Sequence, residues 1–336
     1  MKQQHFGKTT SGQDISKYIL ENNNGMQVHL LNYGAVIQSL LVPNAQGELI
    51  DTVLGFNNVA AYEKDTYYVG RLVGRNANRI KGAQVTISGK IYTLEANNGN
   101  NNLHSGNDYF GNQIWEASLE DGQLTLSYLS KDGEGGFPGN VLTQATFALD
   151  EGNCLTIQLN ATTDADTLIN LTRHEYFNFT QKTGNTIYDH FLKLEADRFT
   201  PKKEDGLPTG EIKMVTGTAL DFTGAKRIGP QAAQLKPGFD HNFVLNDRRK
   251  STLAATLQAP NKSLTMEVHC TQPGLQCYDG HHVTSFKGTT GFIKAPGSGI
   301  CLEPQFFPDA PHHPNFPSTI VKAGSAYEHT IKYVFK

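Results

Sequence analysis

The chain has 336 residues, and its 29 Lys+Arg against 32 Asp+Glu leave a formal charge of −3. A surface this close to neutral has no general electrostatic pull on nucleic acid or an anionic membrane, and charged residues at 18% are too few for a coiled coil or a disordered polyampholyte. No run approaches the roughly 18 unbroken apolar residues of a spanning helix, and the opening Met1–Gly7 lacks the apolar core of a secretory signal, so the expected compartment is the cytoplasm.

The dominant hydrophobic period is two, the mark of strands with one buried and one wetter face. In chain order, strands are expected at 27–31, 35–42, 84–93, 124–129 and 141–149. Leu155, Ile157 and Leu159 then alternate with Thr156, Gln158 and Asn160, and Leu192 and Leu194 alternate with Lys193 and Glu195. Further runs lie at 242–246, 252–258, 264–270, 300–303 and 327–335. Turn residues separate them at Asn44–Gly47, Asp121–Gly122, Asp132–Gly136, Glu151–Asn153, Asn246–Asp247 and Gly297–Gly299, where Gly or Asn accepts positive φ cheaply. Short helices are expected within 56–66 and 227–235. The Asn- and Gly-rich stretch 95–108 reads as a functional loop rather than a linker. With no internal repeat, the pattern predicts one large all-β domain over 1–336, an antiparallel β-sandwich or related layered sheet.

Cys154, Cys270, Cys277 and Cys301 form no C-x-x-C pair and are too sparse for a disulfide framework, so reduced structural thiols are expected. Cys270 falls in phase with Leu264, Met266 and Val268 and should face the core. Arg71, Arg75 and Arg79 are spaced by four in a Gly/Asn-rich setting. Spacing alone favours a structural role, while an Arg fork in such a turn can also meet an oxygen-rich ligand.

His104, alone in its polar loop, reads from the residues as exposed. His174 sits beside Tyr176, Phe177 and Phe179, a setting that desolvates the ring and favours its neutral form. A core role and a catalytic role stand level for it. Asp240 and Glu303 are carboxylates in apolar surroundings, and each must be ion-paired, hydrogen-bonded or poised for proton transfer. The adjacent pairs His281–His282 and His312–His313 lack metal-site spacing, since neighbours on a strand point to opposite faces, and no metal is expected. No Walker loop, G-x-G-x-x-G or G-x-S-x-G is present.

Seven segments, in order, resemble the aldose 1-epimerase (galactose mutarotase) family across nearly the whole chain. They are Gly74–Ile80 (GRNANRI), Asn102–His104 (NLH), Asp132–Asn140 (DGEGGFPGN), Leu171–Asn178 (LTRHEYFN), Pro208–Ile212 (PTGEI), Gly238–Leu245 (GFDHNFVL) and Cys301–Asp309 (CLEPQFFPD), the last followed by Pro314–Pro317 (PNFP). The resemblance implies a large antiparallel supersandwich and interconversion of α and β anomers of aldohexoses such as galactose and glucose, without a cofactor. By position it makes Glu303 the base for the anomeric hydroxyl and His174 the acid for the ring oxygen. Asn78, Arg79, His104, Asp240 and Gln276 correspond to groups that hold the sugar. The expected partner is a monosaccharide, with no nucleic acid or membrane, and the chain is expected to be a monomer or homodimer.

This chain departs from the family pattern at Asn76, Ser105, Glu175 and the stretch Cys277–Val283 (CYDGHHV). The competing expectations are a non-catalytic carbohydrate-binding protein or a phosphosugar epimerase on the same fold, and a glycoside hydrolase using Asp240 and Glu303.

Overall fold

A computed structural model describes residues 2–180, 186–246, 251–284, 286–289 and 293–336. Its framework is antiparallel β-structure. A nine-stranded sheet runs in the order Glu116–Glu120, Gln123–Ser130, Val141–Leu149, Cys154–Thr163, Ala326–Phe335, Thr265–Cys270, Thr252–Gln258, Phe191–Leu194, Lys226–Arg227. A six-stranded sheet runs in the order Tyr176–Phe177, Ile300–Gln305, Gly274–Tyr278, Asp240–Val244, Arg198–Thr200, Lys213–Met214. A third, five-stranded sheet follows the chain from Lys2–Lys8 to Leu49–Asp51. Among the described residues no helix is long and apolar enough to cross a membrane.

The alternation that predicted strands also builds the core. Val141, Ala145, Phe147, Leu155, Ile157, Leu159, Ile331 and Tyr333 of the large sheet pack in one cluster with Phe177, Phe243, Leu275, Ile300 and Leu302 of the six-stranded sheet. Each large side chain so buried contributes about 1.5–3 kcal/mol. Cys270 faces this core, and all four cysteines are free thiols.

The expected runs 27–31, 141–149 and 252–258 coincide with observed strands. The run 84–93 is instead a hairpin, Gln84–Ile87 and Lys90–Thr93, because Ser88 and Gly89 both take positive φ between them. The run 242–246 begins two residues earlier, at Asp240–Val244. The short helices are Val59–Glu63 and Ile228–Ala232, one turn each within the expected windows. Strands Lys2–Lys8 and Glu116–Glu120 escape the pattern because neither has a buried residue. Asp247 of the expected turn Asn246–Asp247 lies outside the described residues.

Register decides what the six-stranded sheet presents. Asp240 pairs with Tyr278, Gln276 with both Asn242 and Glu303, and Cys301 with both Tyr278 and Tyr176. Directly opposed residues share a face, as do residues two apart. Asp240, Gln276, Tyr278, Cys301, Glu303 and Tyr176 therefore share one face, while Phe243, Leu275, Leu302, Ile300 and Phe177 point the other way into the core.

Candidate active site

That polar face floors a cleft of about 250 Å³. All seven residues singled out above line it: Asn78, Arg79, His104, His174, Asp240, Gln276 and Glu303. Tyr68, Tyr176, Tyr278, Asn98 and His282 complete much of the wall.

Two loops contribute Asn78, Arg79, Leu103 and His104 to the cleft lining. Asn102 pairs with Ile80 and Leu103 with Arg79, so the two-stranded ladder Arg79–Ile80 and Asn102–Leu103 ties them together. Asn78 and His104 both hold positive φ, 63° and 52°, a region uncommon outside glycine but several-fold richer in Asn and His. The strain is held by paired bonds: His104 N–H donates to the Asn78 carbonyl (3.0 Å), and Asn78 N–H donates to His104 Nδ1 (3.1 Å). Two departures from the family pattern meet here, since Asn76 N–H donates to the Ser105 hydroxyl (2.8 Å), which donates back to the Asn76 carbonyl (3.1 Å).

His104 is therefore not the exposed loop residue that its isolation suggested. It is buried, its ring tilted against Tyr68 (4.6 Å between ring centres) and near His174 (5.6 Å). Burial first, then the neighbouring His174 and Arg79, hold it well below the usual imidazole range. An amide N–H can only donate, so Nδ1 accepts, and the one proton of the neutral ring sits on Nε2. His104 is fixed as a donor.

The arginine triplet divides. Arg71 is fully buried, 3.4 Å from Asp65 and donating to Asn112 Oδ1 (2.7 Å) and the carbonyls of Gly111 and Tyr62. Arg75 donates to Ser130 and to the carbonyls of Pro138 and Lys131. Neither lines the cleft. Arg79 does, with Nε on Asn98 Oδ1 (3.0 Å) and Gly206 closing on its guanidinium where a Cβ would leave no room.

The two carboxylates are opposite cases. Asp240 is pulled down by Lys202 and Arg79 against the cost of its burial. Lys202 Nζ binds Oδ2 (3.0 Å) and Gln276 Nε2 donates to Oδ1 (2.6 Å). Glu303 is buried, with Oε2 lacking any hydrogen-bond partner and Oε1 lying 3.9 Å from His174 Nε2. Burial above all, then the charges of Asp240 and Glu175, push its carboxyl well above the usual range, with Arg79 opposing. His174 is lowered to about 4, chiefly by burial. Behind it, Glu175 pairs with Arg173 (2.5 Å) and accepts from the Tyr333 hydroxyl (2.9 Å).

The histidine pairs also differ from strand geometry. His281 and His282 lie in a turn with rings 4.2 Å apart, and His281 Nδ1 meets Asp279 (2.6 Å). His312 and His313 both approach Asp309, at 2.5 and 3.4 Å. Among the described residues one trio has metal-ligand types close together: His104, His174 and Glu303, with ligand atoms within 4.8 Å. The fixed proton on His104 Nε2 removes one of the three lone pairs a metal would need.

Tyr68 and Lys202 had no signal in the sequence. Tyr68 enters through a positive φ of 60°, and Lys202 stands in what reads as a solvated Lys202-Lys203-Glu204 charge run.

An all-β fold whose sheet face carries a buried carboxyl beside an imidazole, ringed by further polar side chains, defines a site of the acid–base enzyme class. The family model described as aldose 1-epimerase matches residues 16–334. The galactose mutarotase of Sus scrofa is 37% identical over 98% of this chain and 97% of its own. The aldose 1-epimerase of Escherichia coli K12 is 33% identical over 96% of each chain. The solved GalM/aldose epimerase homologue from C. elegans superposes with a TM-score of 0.89 at 29% identity, covering 95% of this chain and 98% of that one. The chain belongs to the aldose 1-epimerase family. It is a carbohydrate epimerase, an isomerase.

Proposed function

We propose that residues 1–336, working as one domain, interconvert the α and β pyranoses of aldohexoses such as galactose and glucose, with Glu303 and His174 moving the protons. The carrying observation is the unpartnered Glu303 carboxyl lying 3.9 Å from His174 Nε2 on the cleft floor. Ring opening loses the C1 hydroxyl proton to Glu303 and gains a proton at the ring oxygen from His174, while the C1–O5 bond breaks and C1 becomes a carbonyl. Rotation about C1–C2 and the reverse transfers close the other anomer. The pair needs one exchangeable proton. Burial favours that proton on Glu303 with His174 neutral, which is the state matching the open-chain aldehyde, the species of highest energy.

Arg79 and His104 supply donors and Asp240 an acceptor for sugar hydroxyls; Asn78 and Gln276 line the same wall. Both Asp240 oxygens are engaged, by Lys202 and Gln276, so neither stands free as the nucleophile or base that a hydrolase's carboxylate pair would require. Four free thiols fit a reducing, cytoplasmic setting in hexose metabolism.

The test is polarimetry of freshly dissolved α-glucose and α-galactose with and without protein. An unaccelerated rate alongside retained sugar binding would replace this reading with a non-catalytic sugar-binding protein.

A further inference from the structure

His174 can exchange protons through Nε2 only if its other nitrogen keeps a hydrogen. When the imidazolium gives up the Nε2 proton, the neutral ring left behind carries N–H at Nδ1 and a lone pair at Nε2, ready to take the proton back. The opposite neutral tautomer offers no base to the sugar. What faces Nδ1 therefore decides whether the ring is useful, and the sequence motif is silent on it.

The group facing Nδ1 is the thiol of Cys301, 3.4 Å away and fully buried. Cys301 lies two residues before Glu303 on the same strand, and hence on the same face, but it does not line the cleft. A thiol both donates and accepts, so it does not set a direction by itself. The direction comes from further along. Tyr176 is paired directly opposite Cys301 across the sheet, so the thiol and the tyrosine side chain with its hydroxyl share one face. That hydroxyl donates to the Tyr67 carbonyl at 2.9 Å. A carbonyl can only accept. With the tyrosine proton committed, its oxygen is left to accept from the thiol, and the sulfur is left to accept from the imidazole.

We propose that Cys301 and Tyr176 form a one-way hydrogen-bond chain, His174 Nδ1–H to Cys301 S–H to Tyr176 O–H to the Tyr67 carbonyl, which holds His174 in the tautomer whose Nε2 serves the sugar. Cys301 is thus a positioning residue that touches no substrate. One further observation fits the direction. Burial pushes the Cys301 thiol well above its ordinary range, so it keeps the hydrogen the chain requires. His104, whose Nδ1 faces an amide N–H, is held in the opposite tautomer. The two cleft histidines are thereby set to different tasks, one to donate permanently and one to exchange. The proposal rests on the acid–base reading of His174 given above.

The test uses the full chain with ¹⁵N-labelled histidine. At neutral pH the parent should show His174 protonated at Nδ1 and bare at Nε2, and His104 the reverse. Cys301→Ala and Tyr176→Phe should each shift His174 toward the Nε2–H form. Cys301→Ala should lower kcat about three- to tenfold, the worth of one modest hydrogen bond, with KM within twofold. Cys301→Ser should restore both tautomer and kcat. An Nε2–H tautomer in the parent overturns the proposal even if both variants fail to fold, as does Cys301→Ala with parental tautomer and kcat. A parent without mutarotation would instead overturn the acid–base reading, while the tautomer measurement still reports on the chain.

Discussion

Replacing Glu303 by Gln should separate activity from stability with opposite signs. The amide keeps the shape but cannot take the anomeric proton. A positioned base contributes about 10²–10⁴-fold, so kcat should fall by that factor, equivalent to about 3–5.5 kcal/mol of barrier. The groups proposed to hold the sugar (Arg79, His104, Asp240 and Gln276) are untouched, so binding of galactose by calorimetry should stay within a few-fold. Stability should move the other way. The Glu303 carboxyl is raised in the folded state by burial, by Asp240 and by Glu175. Above the unfolded carboxylate pKa of about 4.3 the unfolded chain releases this proton and the folded chain retains it, so the group costs stability as pH rises through that value. Gln has no such cost. Glu303→Gln should gain about 0.5–2 kcal/mol at pH 7, the size of a single commonly stabilising substitution. At about 2.1 cal/mol/K per residue over 336 residues, that is about 1–3 °C in Tm. The gain should vanish near pH 4, where both states are protonated. Polarimetry and calorimetry at pH 7 and pH 4 check both halves. A variant that keeps parental turnover, or that is destabilised at pH 7, refutes the argument.

The pH dependence of kcat/KM should be a broad bell, measured by polarimetry corrected for spontaneous mutarotation. Below about 4 His174 gains a second proton for the pair and Glu303 can no longer accept one; above the raised Glu303 value neither group holds a proton for the ring oxygen. Rates that keep rising below pH 4 would contradict the one-proton pair. Lys202→Met should leave kcat within a few-fold but raise KM several-fold, because Asp240 loses the ammonium that holds Oδ2; an unchanged KM for galactose would remove Lys202 from the site. Glu175→Ala leaves the Arg173 guanidinium buried without its carboxylate and should destabilise by about 3–5 kcal/mol, read by urea unfolding; a loss under 1 kcal/mol would show that water or the carbonyls of Ala35 and Gly70 suffice for Arg173.

The fold was legible wherever one strand face is buried and the other wet, because that difference is written as alternation. Val141–Leu149 shows it plainly, with Val141, Thr143, Ala145 and Phe147 buried. Strand Gly274–Tyr278 was not legible, since its first four residues are all buried: one face packs the core and the other floors the cleft. The same reason hid the directions of Tyr176 and Cys301. Of the site, residues within a recognised motif were readable, but not their environment. His104 looked like a solvent-facing loop residue because nothing in its local sequence records that Tyr68 and His174, 36 and 70 positions away, close over it. Likewise the spacing of Arg71, Arg75 and Arg79 could not show that two of them satisfy loop carbonyls while the third meets the cleft.

The site's charges explain why a near-neutral chain suffices. The substrate carries no charge, and mutarotation moves two protons without changing the net charge of sugar plus enzyme. On the proposed mechanism, the proton must pass between Glu303 and His174 without large cost. Asp240 and Glu175 raise the Glu303 carboxyl, and each is itself restrained by a cation, Lys202 with Arg79 for one and Arg173 for the other. The Arg173–Glu175 pair is fully buried and the Lys202–Asp240 pair half-buried, so the field of the first is screened least by solvent or salt. Surface charge contributes little to that balance compared with Arg79 and Arg173, which lie nearest to it. The chain's few charges are consequential at the places where burial makes them so.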